Sequence, residues 1–159
     1  MSDMDNKPIN IQKYENYKEQ FKRLKMAMSH CFYLEAMFIC YAIMEDRTES
    51  ILVHAGKWDA YLKKRGRYQV TIDSKIKYIK SFSTQKNSLA NKYFGDEMLD
   101  EIIEWKDERN RIMHALMKQN LTTEELESLA SRGEVLAKTI TNRSGSFTKA
   151  IERAKKKES

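Results

Sequence analysis

At 159 residues the chain has the length of one domain, enough to bury a core without metal or disulfide staples. Hydrophobic residues make up 41% and charged residues 33%, and the five glycines and single proline exclude most turn-rich all-β folds. Lys and Arg number 29 against 23 Asp and Glu, a net charge of +6 that permits a nucleic-acid or anionic partner without specifying one.

Residues 1–9 read as a loose lead-in. From residue 10 the chain is charged and aromatic, then apolar. Leu34, Met37, Phe38, Tyr41, Met44, Thr48, Ile51 and Leu52 recur at three- and four-residue steps, the helical period. One very long helix or two consecutive ones should end near Gly56, where a C-cap glycine belongs. Residues 57–68 are basic and aromatic, with Gly66 as the expected turn, and Ile72, Ile76 and Ile79 mark one face of a short helix over 72–82. A polar loop follows to about residue 91.

A further helix spans about 96–118, and the next opens at Thr122, where Glu125 completes a capping box. Leu126, Leu129, Leu136 and Ile140 keep register across Gly133, which predicts one helix carrying a glycine. Residues 143–146, Arg-Ser-Gly-Ser, read as a break before a basic helical tail over 143–159. The expected class is an all-α bundle of about four to six helices, with 10–142 as its single domain.

Residues 1–30 contain no signal-peptide apolar core, and the run over 32–44 is interrupted by Glu35 and too short to span a bilayer. Cys31 and Cys40 fall in one helical pattern, roughly 13 Å apart, beyond disulfide reach. These two cysteines and three scattered histidines fit no zinc spacing. A reduced, cytoplasmic protein with no metal, no cofactor and no membrane attachment is expected.

The helix over 96–118 holds the most informative segment. Its stripe Leu99, Ile103, Lys106, Asn110, Met113, Met117 should face a core, yet Lys106 and Asn110 are polar. Burying unpaired polar groups costs about 1–3 kcal/mol each, so this gap should face a cleft or a partner chain. A polar gap on a core-facing stripe is a local conflict of the kind found at functional sites.

Within the gap stands Arg109-Asn110-Arg111-Ile112-Met113-His114. Arg23 to His30 and Arg47 to His54 also satisfy a loose R-x4-6-H pattern, but only the Arg109 copy has Asn directly after the Arg. R-N-x-x-x-H on a late helix of an all-α chain resembles the signature of HEPN ribonucleases. The likeness covers the motif and the general architecture. It implies a metal-independent endoribonuclease acting at a composite cleft in a twofold dimer, with Arg109, Asn110 and His114 as the catalytic set. It further implies a toxin or abortive-infection effector with a possible antitoxin or regulatory protein. One toxin variant of the family has a tyrosine, modified by a partner nucleotidyltransferase, two residues after the histidine. This chain has Leu116 there.

The residue types suit the chemistry. Attack of a ribose 2′-hydroxyl on the adjacent phosphorus needs a group that moves protons near neutral pH, for which an imidazole is the natural choice. It also needs a fixed cation for charge building on the non-bridging oxygens, which a forked guanidinium supplies. At 100° per residue Asn110 and His114 share a face, whereas Arg109 lies about 140° from His114. Arg111, with Glu45, Asp46 and Arg47 from the earlier helix, are candidates to line the same cleft; a solvated, self-paired charged face is the alternative. Between residues 57 and 80 lie eight basic residues and two acids. Lys63, Lys64, Arg65 and Arg67, interleaved with Trp58, Tyr61, Tyr68 and Tyr78, could hold single-stranded RNA by charge and stacking, unless the rings pack inward.

Overall fold

The computed structural model describes residues 6–66 and 69–159, with side chains in the first helix described from residue 11 onward. Among the described residues every regular element is a helix: α1 (Asn6–Ser29), α2 (Tyr33–His54), α3 (Trp58–Arg65), α4 (Ile72–Ser83), α5 (Leu89–Phe94), α6 (Met98–Ala115) and α7 (Thr123–Glu158). Among the described residues no helix is long and apolar enough to cross a membrane. The count exceeds the expected four to six because residues 58–65 form a short helix before the turn at Gly66 and residues 89–94 form another, overlapping the polar loop expected to about residue 91. Helix α1 begins at Asn6, inside the expected lead-in.

The long apolar region is two helices, and the break between them carries no glycine or proline. Cys31 takes a left-handed φ of 60° at the turn. The Phe32 N–H then reaches the Ala27 carbonyl at 2.8 Å and the Cys31 N–H the Met28 carbonyl at 3.2 Å, the paired bonds of a Schellman ending. Cys31 therefore stands in a turn, not in the helical pattern with Cys40, and both thiols are free. Gly56 ends α2 in the same way as expected, with φ 68° and a bond from the Lys57 N–H to the Leu52 carbonyl.

Helices α2 and α7 form the central pair, and the others pack around them. The core is built from Leu24, Met37, Cys40, Met44, Ile51, Leu52, Tyr61, Ile76, Ile79, Phe94, Leu99, Trp105, Ala137 and Ile140. Thr122 and Glu125 form the expected capping box at the start of α7. The expected break at 143–146 does not occur. Ser144 and Phe147 are buried, Phe147 stacks edge-on against Phe94 at 5.1 Å, and Arg143 holds Asp96 at 2.7 Å. Those contacts outweigh the low helix propensity of Ser-Gly-Ser and carry α7 through without interruption.

Candidate functional site

The rotation of α6 decides which motif residues point where. Its largest buried side chain, Trp105, packs against Gly133 of α7 and donates its indole N–H to the Leu129 carbonyl at 2.7 Å. A Cβ at position 133 would sit 2.6 Å from Trp105 Cζ2, so the glycine is what admits the ring. With Trp105 inward, the buried residues of α6 are Met98, Leu99, Ile102, Trp105, Lys106, Ile112 and Ala115. The stripe expected through Asn110 and Met117 is therefore turned. Arg109, not Asn110, falls in line between Trp105 and Ile112. Helix α6 also stops at Ala115, leaving Met117 almost fully exposed in the following turn.

Arg109 reaches α2. Its guanidinium carbon lies 4.6 Å from the centre of the Tyr41 ring, and Nη1 donates to Asn110 Oδ1 at 3.2 Å. Its Nε is buried without a hydrogen-bond partner, and no carboxylate pairs with it among the described residues. His114, one turn further on, is exposed and makes no side-chain hydrogen bond among the described residues. Asn110 and Arg109 are thus joined directly, and neither is hydrogen-bonded to His114, which shares the Asn110 face one turn on.

Around Tyr41 lies a polar cluster from three helices. Burial, then the Glu45 carboxylate, raise the Tyr41 phenol pKa, and Arg109 and Lys106 pull it part of the way back. Lys106 Nζ bonds Asp73 Oδ2 at 2.7 Å and Asp107 Oδ1 at 2.6 Å. Burial pushes its ammonium down, but those two bonds outweigh it and hold the pKa above the ordinary value. Lys75 is almost fully buried, donates to the Glu45 carbonyl at 3.0 Å and lies 3.9 Å from the Glu45 carboxylate. Burial lowers its pKa despite Glu45. Tyr41, Asp73 and Lys75 were not singled out from the sequence. Lys75 left a signal, a charge at a three- and four-residue spacing from Ile72 and Ile79 on the apolar face of α4.

The other candidates separate. Glu45 belongs to the Tyr41 cluster, but Arg47 is about 200° further round α2 and Asp46 about 100°. Both face α1, where Tyr17 donates to Asp46 Oδ2 at 2.5 Å and Arg47 Nε donates to the Tyr17 hydroxyl at 2.6 Å. So the triplet does not line one cleft. Arg111 is exposed and paired with Glu108 at 2.7 Å on the α7 side. Lys63 and Lys64 are exposed and Arg65 half-buried, while Arg67 and Tyr68 lie outside the described residues. The aromatic residues beside them pack inward. Tyr61 is fully buried and bonded to Ser74 at 2.6 Å, Trp58 stacks on it at 5.4 Å, and Tyr78 meets it edge-on at 5.6 Å. This segment offers charge without a stacking platform in those three rings. Among the described residues no group of three or more His, Cys, Asp or Glu side chains is placed to hold a metal. Compared with known proteins, the chain matches no family model, no curated protein and no solved structure.

Proposed function

We propose that this chain is a metal-independent endoribonuclease of the HEPN kind. The observation that carries the reading is Arg109, a guanidinium seated on Tyr41, bonded to Asn110 and lacking a carboxylate partner among the described residues. A cation held in place without an acid is suited to an anionic substrate. In the reaction the ribose 2′-oxygen attacks phosphorus, His114 takes its proton, and the bond from phosphorus to the 5′-oxygen breaks as that oxygen takes a proton from solvent. The products are a 2′,3′-cyclic phosphate and a 5′-hydroxyl. Arg109 and Asn110 stabilise the non-bridging oxygens as charge builds there.

Arg109 and His114 lie about 140° apart round α6 with no hydrogen bond between them, and the reading therefore includes a twofold dimer in which the α6 helices face each other across the substrate. Exposed Leu116 and Met117 at the His114 end of α6 supply apolar surface for that contact. The cellular role that goes with it is a toxin or antiphage defence effector. The test is incubation of purified protein with unstructured RNA in EDTA, followed by mapping of the fragment ends. Cyclic-phosphate ends with wild type and none with His114→Ala support the reading; intact RNA overturns it. The separation of His114 from Arg109 favours a second reading, a non-catalytic helical module that binds RNA, a nucleotide or a protein partner through the Arg109 face.

A further inference from the structure

Helices α1, α2 and α7 enclose a groove of about 950 Å³ on the opposite side of α2 from Tyr41 and Arg109. Its charge is one-sided: Lys13, Lys18, Arg47 and Lys149 line it, against one acid, Glu152. Asp46 answers Lys13 at 3.2 Å and orients Arg47 at 2.8 Å. Lys18 and Lys149 have no acid partner among the described residues. Arg47 is also clamped over the Tyr17 ring at 4.2 Å with its side chain 14% exposed, and its Nη1 makes no hydrogen bond among the described residues. The Tyr14 ring is largely exposed at the rim.

Gly145 lines the same groove, and it is anomalous. A glycine inside a helix is destabilising relative to alanine, because it loses more backbone freedom on folding. Gly133 has a packing reason, since Trp105 occupies the space of its Cβ. Gly145 has none: a Cβ there would meet nothing within 4 Å. The space it keeps clear is groove. Bare helix backbone at that point lets a ligand approach α7 more closely than any side chain would allow.

We propose that this groove is a binding track for single-stranded RNA, separate from the Arg109 face, with Lys18, Arg47 and Lys149 on phosphates and Tyr14 stacking a base. The cations are spread over three helices, Lys13 and Lys18 being about 7.5 Å apart along α1, which suits a polyanion better than a single phosphate. Base stacking on an exposed ring adds sequence-tolerant affinity. The substrate class rests on the ribonuclease reading, so the experiment uses RNA that cannot be cleaved. A fluorescent 2′-O-methyl oligouridine, lacking the attacking hydroxyl, is titrated with the full chain by anisotropy across a range of salt. Wild type and His114→Ala should bind alike. The double variant Lys18→Gln, Lys149→Gln should bind at least tenfold more weakly, with a salt slope shallower by about 1.4 for two lost single-strand phosphate contacts. Gly145→Leu should bind at least tenfold more weakly while its Tm is unchanged or higher, which separates groove filling from misfolding. Wild-type affinity in these variants, no binding by wild type, or equal competition by inorganic phosphate would overturn the proposal. Loss of cleavage in His114→Ala with oligouridine binding retained bears on the catalytic reading alone.

Discussion

The Arg109 guanidinium lies face-on to Tyr41, 4.6 Å from the ring centre, so a side chain of α2 sets the aim of the motif arginine on α6. A cation over an aromatic face gains about 0.5–1 kcal/mol at sites open to solvent and more when desolvated. The ring, not the hydroxyl, supplies that attraction. Tyr41→Phe should therefore keep most of the cleavage activity, and Tyr41→Ala should lose roughly tenfold, the equivalent of about 1.4 kcal/mol in the barrier. Equal activity in all three proteins, compared at matched Tm, would remove Tyr41 from the account.

Gly133 sets the rotation of α6 through Trp105, so Gly133→Ala should be destabilising even though alanine is the better helix former. The new Cβ would lie 2.6 Å from the indole, and overpacking of this kind costs about 1–3 kcal/mol. Thermal unfolding checks it. A Tm equal to or above wild type would mean that the indole moves aside freely.

Much of the fold was legible in the sequence because the helical period is strong and the start of α7 and the end of α2 carry conventional caps. The break at Cys31 was hidden, since its left-handed turn uses a residue that rarely takes that role. The continuity of α7 past Gly145 was hidden too, because it depends on Phe147 meeting Phe94, a contact between distant parts of the chain. At the site, the motif letters were readable but their directions were not. Which face of α6 turns inward is decided by one large residue fitting against one glycine 28 positions away. Lys75 and Asp73 escaped notice because a lysine in a basic segment looks like surface until its helix is docked.

Acid should loosen the α1–α2 contact. Burial works against the Asp46 carboxylate, but hydrogen bonds from Tyr17 and Arg47 and the charge of Lys13 hold its pKa below the ordinary value. A carboxylate depressed in the folded state stabilises at pH above its unfolded pKa, about 3.9, and that stabilisation is lost as pH falls through the folded value. Denaturant unfolding from pH 6 down to pH 2 should show a shallower decline in Asp46→Asn than in wild type. Parallel curves for the two proteins would show that Asp46 takes no part in acid unfolding.

If each scissile phosphate draws on two chains, inactive His114→Ala chains mixed in excess with wild type and allowed to exchange should poison the active ones. Activity should then fall faster than dilution alone. A strictly linear fall, or an active monomer by light scattering, contradicts the composite site.

Whether Arg109 and His114 carry out RNA cleavage is decided by single-turnover cleavage with Arg109→Ala and His114→Ala, each matched to wild type in Tm. His114 is exposed and Arg109 has no ion-pair partner among the described residues, so both variants should fold as wild type does. Each should lose at least a hundredfold in rate, as expected when a general base or a charge-stabilising donor is removed. Cleavage at the wild-type rate by either well-folded variant would contradict that assignment.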